Sequence, residues 1–116
     1  MLFKRYLLEK ILSGEKTQTR RPIKRKKGRA IWEVGKQVGV RNGYKPFVAY
    51  VTIKRRYRQK LGQITDKDAR KEGFANVDEF KQAWIQIYGN WKPNEIIWVY
   101  DFELAKRKKV KVQTLK

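Results

Sequence analysis

Two short segments carry polar groups whose types could do chemistry. The first runs over residues 14–21 as Gly-Glu-Lys-Thr-Gln-Thr-Arg-Arg, and the second, residues 64–74, contains Glu72. Because the chain has no His and no Cys, a general base must be Asp, Glu, Lys or Tyr, and hydroxyl chemistry falls mainly to Thr or Tyr. Alone, neither segment is a specific motif: the first also fits a helix leading into an edge strand, and Glu72 fits a solvated helix end.

The missing residue types exclude several classes of site. Without Cys or His there can be no disulfide, no thiolate or imidazole metal site, and no Ser-His-Asp triad. We therefore predict no metal and no cofactor. The longest apolar run, residues 96–100, is far short of the ~20 residues of a membrane span. The first ten residues carry charge within their apolar pattern and show no cleavage site, so we expect a cytoplasmic protein without a membrane partner.

The charge is strongly basic and unevenly placed. The 116 residues carry a formal net charge of +19, concentrated before residue 64 and after residue 103, whereas the stretch between is slightly acidic. Lys and Arg that neutralise phosphates release counterions and give salt-sensitive affinity, so this charge predicts a nucleic-acid partner. The candidate contacts outside the Gly14–Arg21 segment form two clusters: Lys24, Arg25, Lys26, Lys27 and Arg29; and Lys54, Arg55, Arg56, Arg58 and Lys60.

The hydrophobic pattern predicts one α+β domain that must position these groups. Apolar spacing predicts a helix over residues 2–12 that ends at Ser13-Gly14, and a short strand up to Pro22. Two further strands, near 34–41 and 47–53, can pair as a hairpin. Thr65 and Asn76 are expected to cap two helices, and residues 95–104 form a strong strand. We assign the domain to residues 1–104 and a basic C-terminal extension to residues 105–116.

Gly14, Lys16 and Arg21 match the G-x-K-x-x-x-x-R signature of the ASCH (activating signal cointegrator homology) domain family, which this chain resembles. The resemblance extends over most of residues 5–103, through the segments 35–40, 64–74, 79–89 and 100–103. It implies a PUA-like fold, a small β-barrel with flanking helices around a cleft. It also implies association with RNA or DNA, with the signature residues Gly14, Lys16 and Arg21 lining the cleft. Arg20 is a further candidate contact, because it begins the basic cluster that continues through Arg29.

The resemblance further implies a candidate catalytic set. Some small bacterial members are amidohydrolases that deacylate N4-acylcytidine, and their Lys, Thr and Glu fall on Lys16, Thr19 and Glu72. Amide hydrolysis needs a nucleophile, a proton acceptor and a donor to the developing oxyanion, roles that these three side chains could share. Residues i and i+3 of a strand point to opposite faces. Lys16 and Thr19 can therefore converge only if the chain bends between them.

Three functions stay open at this point. The first is a nucleic-acid-binding module, with RNA favoured and DNA possible, in which the cleft holds a phosphate or an extruded base. The second is the amidohydrolase, acting on a free nucleoside or within RNA, or a nuclease as a variant of it. The third is a scaffold that joins a ribonucleoprotein by charge, with Lys16, Thr19 and Glu72 forming a structural cluster. Neither the presence of an enzymatic activity nor the oligomeric state follows from the sequence.

Overall fold

The computed structural model describes residues 1–23 and 32–105 of the chain. The helices and strands are, in chain order, α1 (Arg5–Ser13), β1 (Gln18–Pro22), β2 (Gln37–Val40), β3 (Ala49–Lys60), α2 (Asp66–Lys71), α3 (Val77–Tyr88) and β4 (Ile96–Leu104). A 3-10 turn, Leu61–Gln63, connects β3 to α2. The predicted α+β class is confirmed. The basic extension after residue 105 lies outside the described residues.

The four strands form one antiparallel sheet in the order β1-β4-β3-β2. The predicted hairpin is present, with Val38 opposite Val51. The strand predicted at 47–53 continues to Lys60, because β4 offers a paired backbone along its whole length. A bulge between Ile53 and Arg55 shifts the register in this long pair.

Within residues 1–23 and 32–105, the four strands do not pair into a closed barrel. The N-terminal residues lie beside the end of β2 through a parallel bridge between Leu2 and Arg41. The same N-terminal segment also contacts β1, because Arg21 Nη2 donates a hydrogen bond to the Leu2 carbonyl at 3.1 Å. The two edges of the sheet are therefore joined through a side chain and the N-terminal segment rather than through strand pairing, which refines the predicted barrel.

Both faces of the sheet are covered. Successive residues of β4 point to opposite faces, so Tyr100 and Phe102 pack with α1, whereas Ile97 and Val99 pack with α3. The apolar stripe of α1 buries Leu7, Leu8 and Ile11, as the sequence predicts. Helix α1 covers one face of the sheet and α3 the other, and the candidate site lies beside them at the edge strand β1.

The helix starts follow their capping residues. The Thr65 hydroxyl accepts from the Asp68 backbone N–H at 3.1 Å, and the Asp68 carboxylate accepts from the Thr65 N–H at 3.3 Å, which completes a capping box. The Asn76 side chain accepts from the Glu79 N–H at 3.0 Å and starts α3. The box fixes the direction of α2, whose C-terminal end delivers Glu72 to the site.

Candidate functional site

Lys16 sits in a bend before β1. Gly14 adopts a left-handed conformation (φ 87°) that ends α1, and the Lys16 N–H then donates back to the Lys10 carbonyl at 3.0 Å. The next residue, Thr17, donates its N–H to the Lys71 carbonyl at 2.8 Å, which ties the bend to the end of α2. Because β1 begins only at Gln18, the regular strand alternation does not apply to Lys16. This is the bend that the sequence analysis required.

Lys16 is buried, and three acceptors surround its ammonium group. Its Nζ lies 2.8 Å from the Gln18 carbonyl, 2.7 Å from the Glu72 carbonyl and 3.0 Å from Glu72 Oε1. An ammonium has three N–H donors, and each has a partner here. Burial lowers the pKa of Lys16 below its usual value, while the Glu72 carboxylate opposes that shift. The hydrogen bonds thus favour the charged form that burial disfavours.

Glu72 bridges Lys16 to a second buried cation. Its Oε2 accepts from Arg20 Nη1 at 2.9 Å, and Arg20 also donates to Gln18 Oε1 and, at 3.0 Å, to Gln59 Oε1. Asp68 Oδ2 lies 3.4 Å from Arg20 Nη2 and adds a second carboxylate. The Arg20 side chain is 0% exposed. We predicted Arg20 as a nucleic-acid contact; its guanidinium lies inside this buried network, and the residue lines the cavity described next.

A cavity of about 380 Å³ opens beside the network, at the β1 edge of the sheet. Lys16, Thr19 and Glu72 all line it, so the three side chains implied by the resemblance do come together. The remaining wall is mostly apolar and aromatic, drawn from the N-terminal segment, α1, α3 and the residues after α2: Leu2, Phe3, Leu7, Phe74, Phe80, Ala83, Trp84, Ile87 and Tyr88.

Trp84 forms part of this wall. The residue is 4% exposed, and its indole N–H is buried without a hydrogen-bond partner in the described part of the chain. A buried donor without an acceptor is costly. Trp84 was not predicted as a site residue, because its position on the apolar stripe of α3 is equally that of a core residue.

Arg21 closes one side of the cavity with its planar group. The guanidinium lies 4.9 Å from the centroid of the Phe3 ring and 5.5 Å from that of Trp32. Its Nε also donates to the Thr19 hydroxyl oxygen at 3.2 Å. Arg21 is therefore held by cation–π contacts and a hydrogen bond in the orientation that it presents to the cavity. Gly14, by contrast, does not line the cavity, and its role here is to make the turn.

The five cationic residues that we call the basic strand, Lys54, Arg55, Arg56, Arg58 and Lys60, all lie on β3. Arg55 donates from Nε to Asp101 Oδ2 at 2.8 Å, and Lys54 lies 3.9 Å from Glu103. Arg58 and Lys60 have no acidic partner among residues 1–23 and 32–105. Both are exposed. The other predicted contacts, Lys24, Arg25, Lys26, Lys27 and Arg29, lie outside the described residues.

Two kinds of feature are absent from the described ranges. Residues 1–23 and 32–105 contain no group of three or more acidic side chains that could hold a metal ion. Over the same residues, no helix has the length and apolar character needed to cross a bilayer.

The fold has relatives among solved structures. An ASCH domain from Lactobacillus crispatus JV V101 superposes with a TM-score of 0.75 at 16% identity, covering 86% of this chain and 70% of that chain. Protein EF3133 from Enterococcus faecalis V583, of the DUF984 family, superposes with a TM-score of 0.66 at 16% identity, covering 88% and 71%. No protein-family model and no curated protein matches the sequence. The chain thus has an ASCH-like fold, as the Gly14, Lys16 and Arg21 signature predicted.

Proposed function

We propose that this protein binds RNA, with phosphates on the basic strand and one unpaired base in the cavity at β1. The observation that carries this proposal is the pair Arg58 and Lys60, which are exposed cations without an acidic partner in the described ranges. A net charge of +19 repels itself in the compact state, and pairing cations with acids limits that repulsion. Unpaired cations on one strand instead favour binding of a polyanion, because a nucleic acid releases its condensed counterions when these cations neutralise its phosphates.

The cavity suits a flat, uncharged ring. Its volume of about 380 Å³ lies within the range of small-molecule sites. Phe74, Phe80 and Tyr88 supply apolar and aromatic walls against which a base can lie. RNA is favoured over DNA because the PUA-like fold that the chain resembles is associated with RNA, and DNA is the competing partner to be tested. The cytoplasmic location stays a prediction.

Binding is tested by fluorescence anisotropy with a labelled 12-nucleotide RNA and the DNA of the same sequence, each at two salt concentrations. We expect affinity to fall with salt, and RNA to bind more tightly than DNA. The double variant Arg58→Glu/Lys60→Glu should weaken binding. Its matched control is Lys67→Glu/Arg70→Glu, which makes the same charge change on exposed positions of α2. Equal losses in both variants would mean that net charge, not the basic strand, drives binding.

Amide hydrolysis is the second candidate function, favoured by the convergence of Lys16, Thr19 and Glu72 on one cavity. In this reaction the Thr19 hydroxyl attacks the acyl carbon of an N4-acylcytidine. The C–N bond breaks, the proton from the hydroxyl passes to the leaving amine, and water then releases the carboxylic acid from the enzyme. The three hydrogen bonds that hold Lys16 as an ammonium count against its acting as the base.

Hydrolysis is tested by incubating the protein with N4-acetylcytidine, both free and within an RNA oligonucleotide, and following loss of the acetyl group by chromatography. Turnover that disappears in Thr19→Val, a variant of the same shape without the hydroxyl, would establish the enzyme. RNA binding without turnover would leave the cavity as a recognition site. Turnover that persists in Thr19→Val would exclude Thr19 as the nucleophile.

A further inference from the structure

One face of the sheet carries cations and rings in matched positions on three strands. Arg21 on β1 lies opposite Trp98 on β4, and Trp98 lies opposite Arg58 on β3. In the neighbouring row, Tyr100 lies opposite Arg56. Directly opposite residues in antiparallel strands place their side chains on the same face. Arg21, Trp98 and Arg58 therefore form a row across the sheet that begins at the cavity and ends on the basic strand.

The side chains of this face touch one another in sequence. The Arg56 guanidinium lies 4.8 Å from the Trp98 ring centroid, and that of Arg58 lies 5.8 Å from it. Trp98 neighbours Tyr100 with a centroid distance of 6.4 Å, and the Tyr100 ring meets the edge of Trp32 at 5.3 Å. Since Arg21 contacts Trp32 in turn, rings and guanidinium groups run from the cavity wall to β3.

Trp98 is only partly buried, although its place in the central strand predicts a core residue. Its indole N–H, however, is buried and has no hydrogen-bond partner among the described residues. The part of the side chain that solvent reaches is therefore carbon, not the polar N–H. A base can stack on such a carbon surface, but the surface offers no hydrogen bond that would distinguish one base from another. Stacking of this kind therefore tolerates any base.

The charge around Trp98 favours an anionic partner. Arg58 lies near no carboxylate in the described part of the chain. Arg56 Nη1 lies 3.8 Å from the Glu33 carboxylate, and the Glu33 side chain is 64% exposed. Residues 24–31 and 106–115 contain no Asp or Glu that could neutralise these arginines. An aromatic carbon surface within 6 Å of two guanidinium groups offers a place for a base beside groups that can pair with phosphates.

We propose that Trp98, next to Arg56 and Arg58, is a stacking site for an unpaired base, and that it makes the protein selective for single-stranded over duplex RNA. The exposed Arg58 pairs with the adjacent phosphate and leaves the ring to the base. A duplex cannot use this site, because its bases are already stacked and paired. The inference rests on the proposed RNA binding, but it specifies the conformation of the RNA and adds a contact outside the cavity.

The experiment compares a 12-nucleotide single strand with its duplex, using wild-type protein and the variants Trp98→Leu, Trp98→Phe and Arg58→Gln. We expect wild type to prefer the single strand by about fivefold or more, and Trp98→Leu to lose about fivefold or more, as base–aromatic stacking implies. Trp98→Phe keeps a ring and should retain most of the affinity. Trp91→Leu is the control, since Trp91 is also partly buried but packs against Phe80, on the other side of the sheet.

The salt dependence separates stacking from charge. Trp98→Leu should leave the slope of log K against log salt unchanged, whereas Arg58→Gln should reduce its magnitude by about 0.7, the value for one phosphate on a single strand. If wild type binds no RNA at low salt, both the proposed function and this inference fail. If wild type binds RNA but holds duplex as tightly as single strand, only the stacking site is overturned. That comparison needs no variant, so it stands even if Trp98→Leu does not fold.

Discussion

Lys16 Nζ lies 3.0 Å from Glu72 Oε1, and the two side chains are 2% and 4% exposed. The same carboxylate accepts a hydrogen bond from Arg20 at 2.9 Å. One buried acid therefore pairs with two buried cations. A buried ion pair is costly to assemble, yet removing one member is costlier because the other charge stays buried. The network therefore holds the end of α2 against β1 whether or not it takes part in any reaction.

Replacing Glu72 should destabilise the protein strongly. Glu72→Gln leaves Lys16 and Arg20 without their shared carboxylate, and we expect the free energy of unfolding to fall by about 3–5 kcal/mol. Urea denaturation followed by circular dichroism measures it. The control is Glu9→Gln, which removes an exposed ion pair with Arg5 at 3.6 Å and should leave stability almost unchanged. Similar small effects in both variants would contradict a structural role for the network.

The burial of Lys16 predicts a pH dependence. Its folded pKa is lowered from the model-compound value of 10.5, so between the folded pKa and that value the unfolded state binds more protons. Stability from this group therefore rises with pH across that window and is lost as pH falls through it. The stability difference between wild type and Lys16→Met should grow as pH is raised towards 10.5, measured by urea titrations at several pH values. A constant difference would mean that folding does not lower the pKa.

Arg21 should matter through its shape as well as its charge. Arg21→Lys keeps the positive charge but loses the planar group that lies over Phe3 and Trp32. We expect weaker binding of single-stranded RNA with an unchanged salt slope, since no charge is lost. Anisotropy titrations at two salt concentrations measure both quantities. Arg5→Lys, on the exposed face of α1, is the matched control and should bind as wild type does.

Gly73 allows the chain to leave α2 next to Glu72. Its φ is +101°, and an added Cβ would lie 3.3 Å from both Leu7 and Lys10 side-chain atoms. Gly73→Ala should therefore destabilise the protein by about 1–3 kcal/mol, through backbone strain and crowding together. Gly43→Ala is the control: φ is +61° and nothing lies within 4 Å of its added Cβ. Thermal unfolding should show a smaller loss of stability for Gly43→Ala than for Gly73→Ala. Equal losses in the two variants would mean that crowding at Gly73 adds nothing to the backbone strain.

Local sequence signals predicted most of the elements. The apolar stripes and the caps at Thr65 and Asn76 depend on neighbours a few residues away, so helices α2 and α3 start where expected. The length of β3 could not be predicted, because Lys54 to Lys60 read as a charged surface segment. These residues become strand only through pairing with β4, some forty residues later in the chain.

Part of the site was predictable from the family signature. Lys16, Thr19 and Arg21 line the cavity as the resemblance implied. The burial of Arg20 was not predictable, since Gln18, Gln59 and Glu72 come from three separate parts of the chain and only the fold brings them to one guanidinium. The apolar strand around Trp98 is typical of core packing, and Trp98 does pack against the core while staying partly exposed. The arginines of β3 that lie near it come from a distant part of the chain, so the β4 pattern could not predict them.

The position of β4 in the sheet bears on how the chain is made. β4 lies between β1 and β3, yet it follows both in sequence. While a ribosome synthesises the chain, β1 has no strand to pair with until β4 emerges, and only the β2–β3 hairpin can form earlier. Pairings between distant segments form slowly, and edges left open during that delay are prone to aggregation. The many cations on β3 would keep nascent chains apart during this interval, and they would equally attract the RNA-rich surface from which the chain emerges.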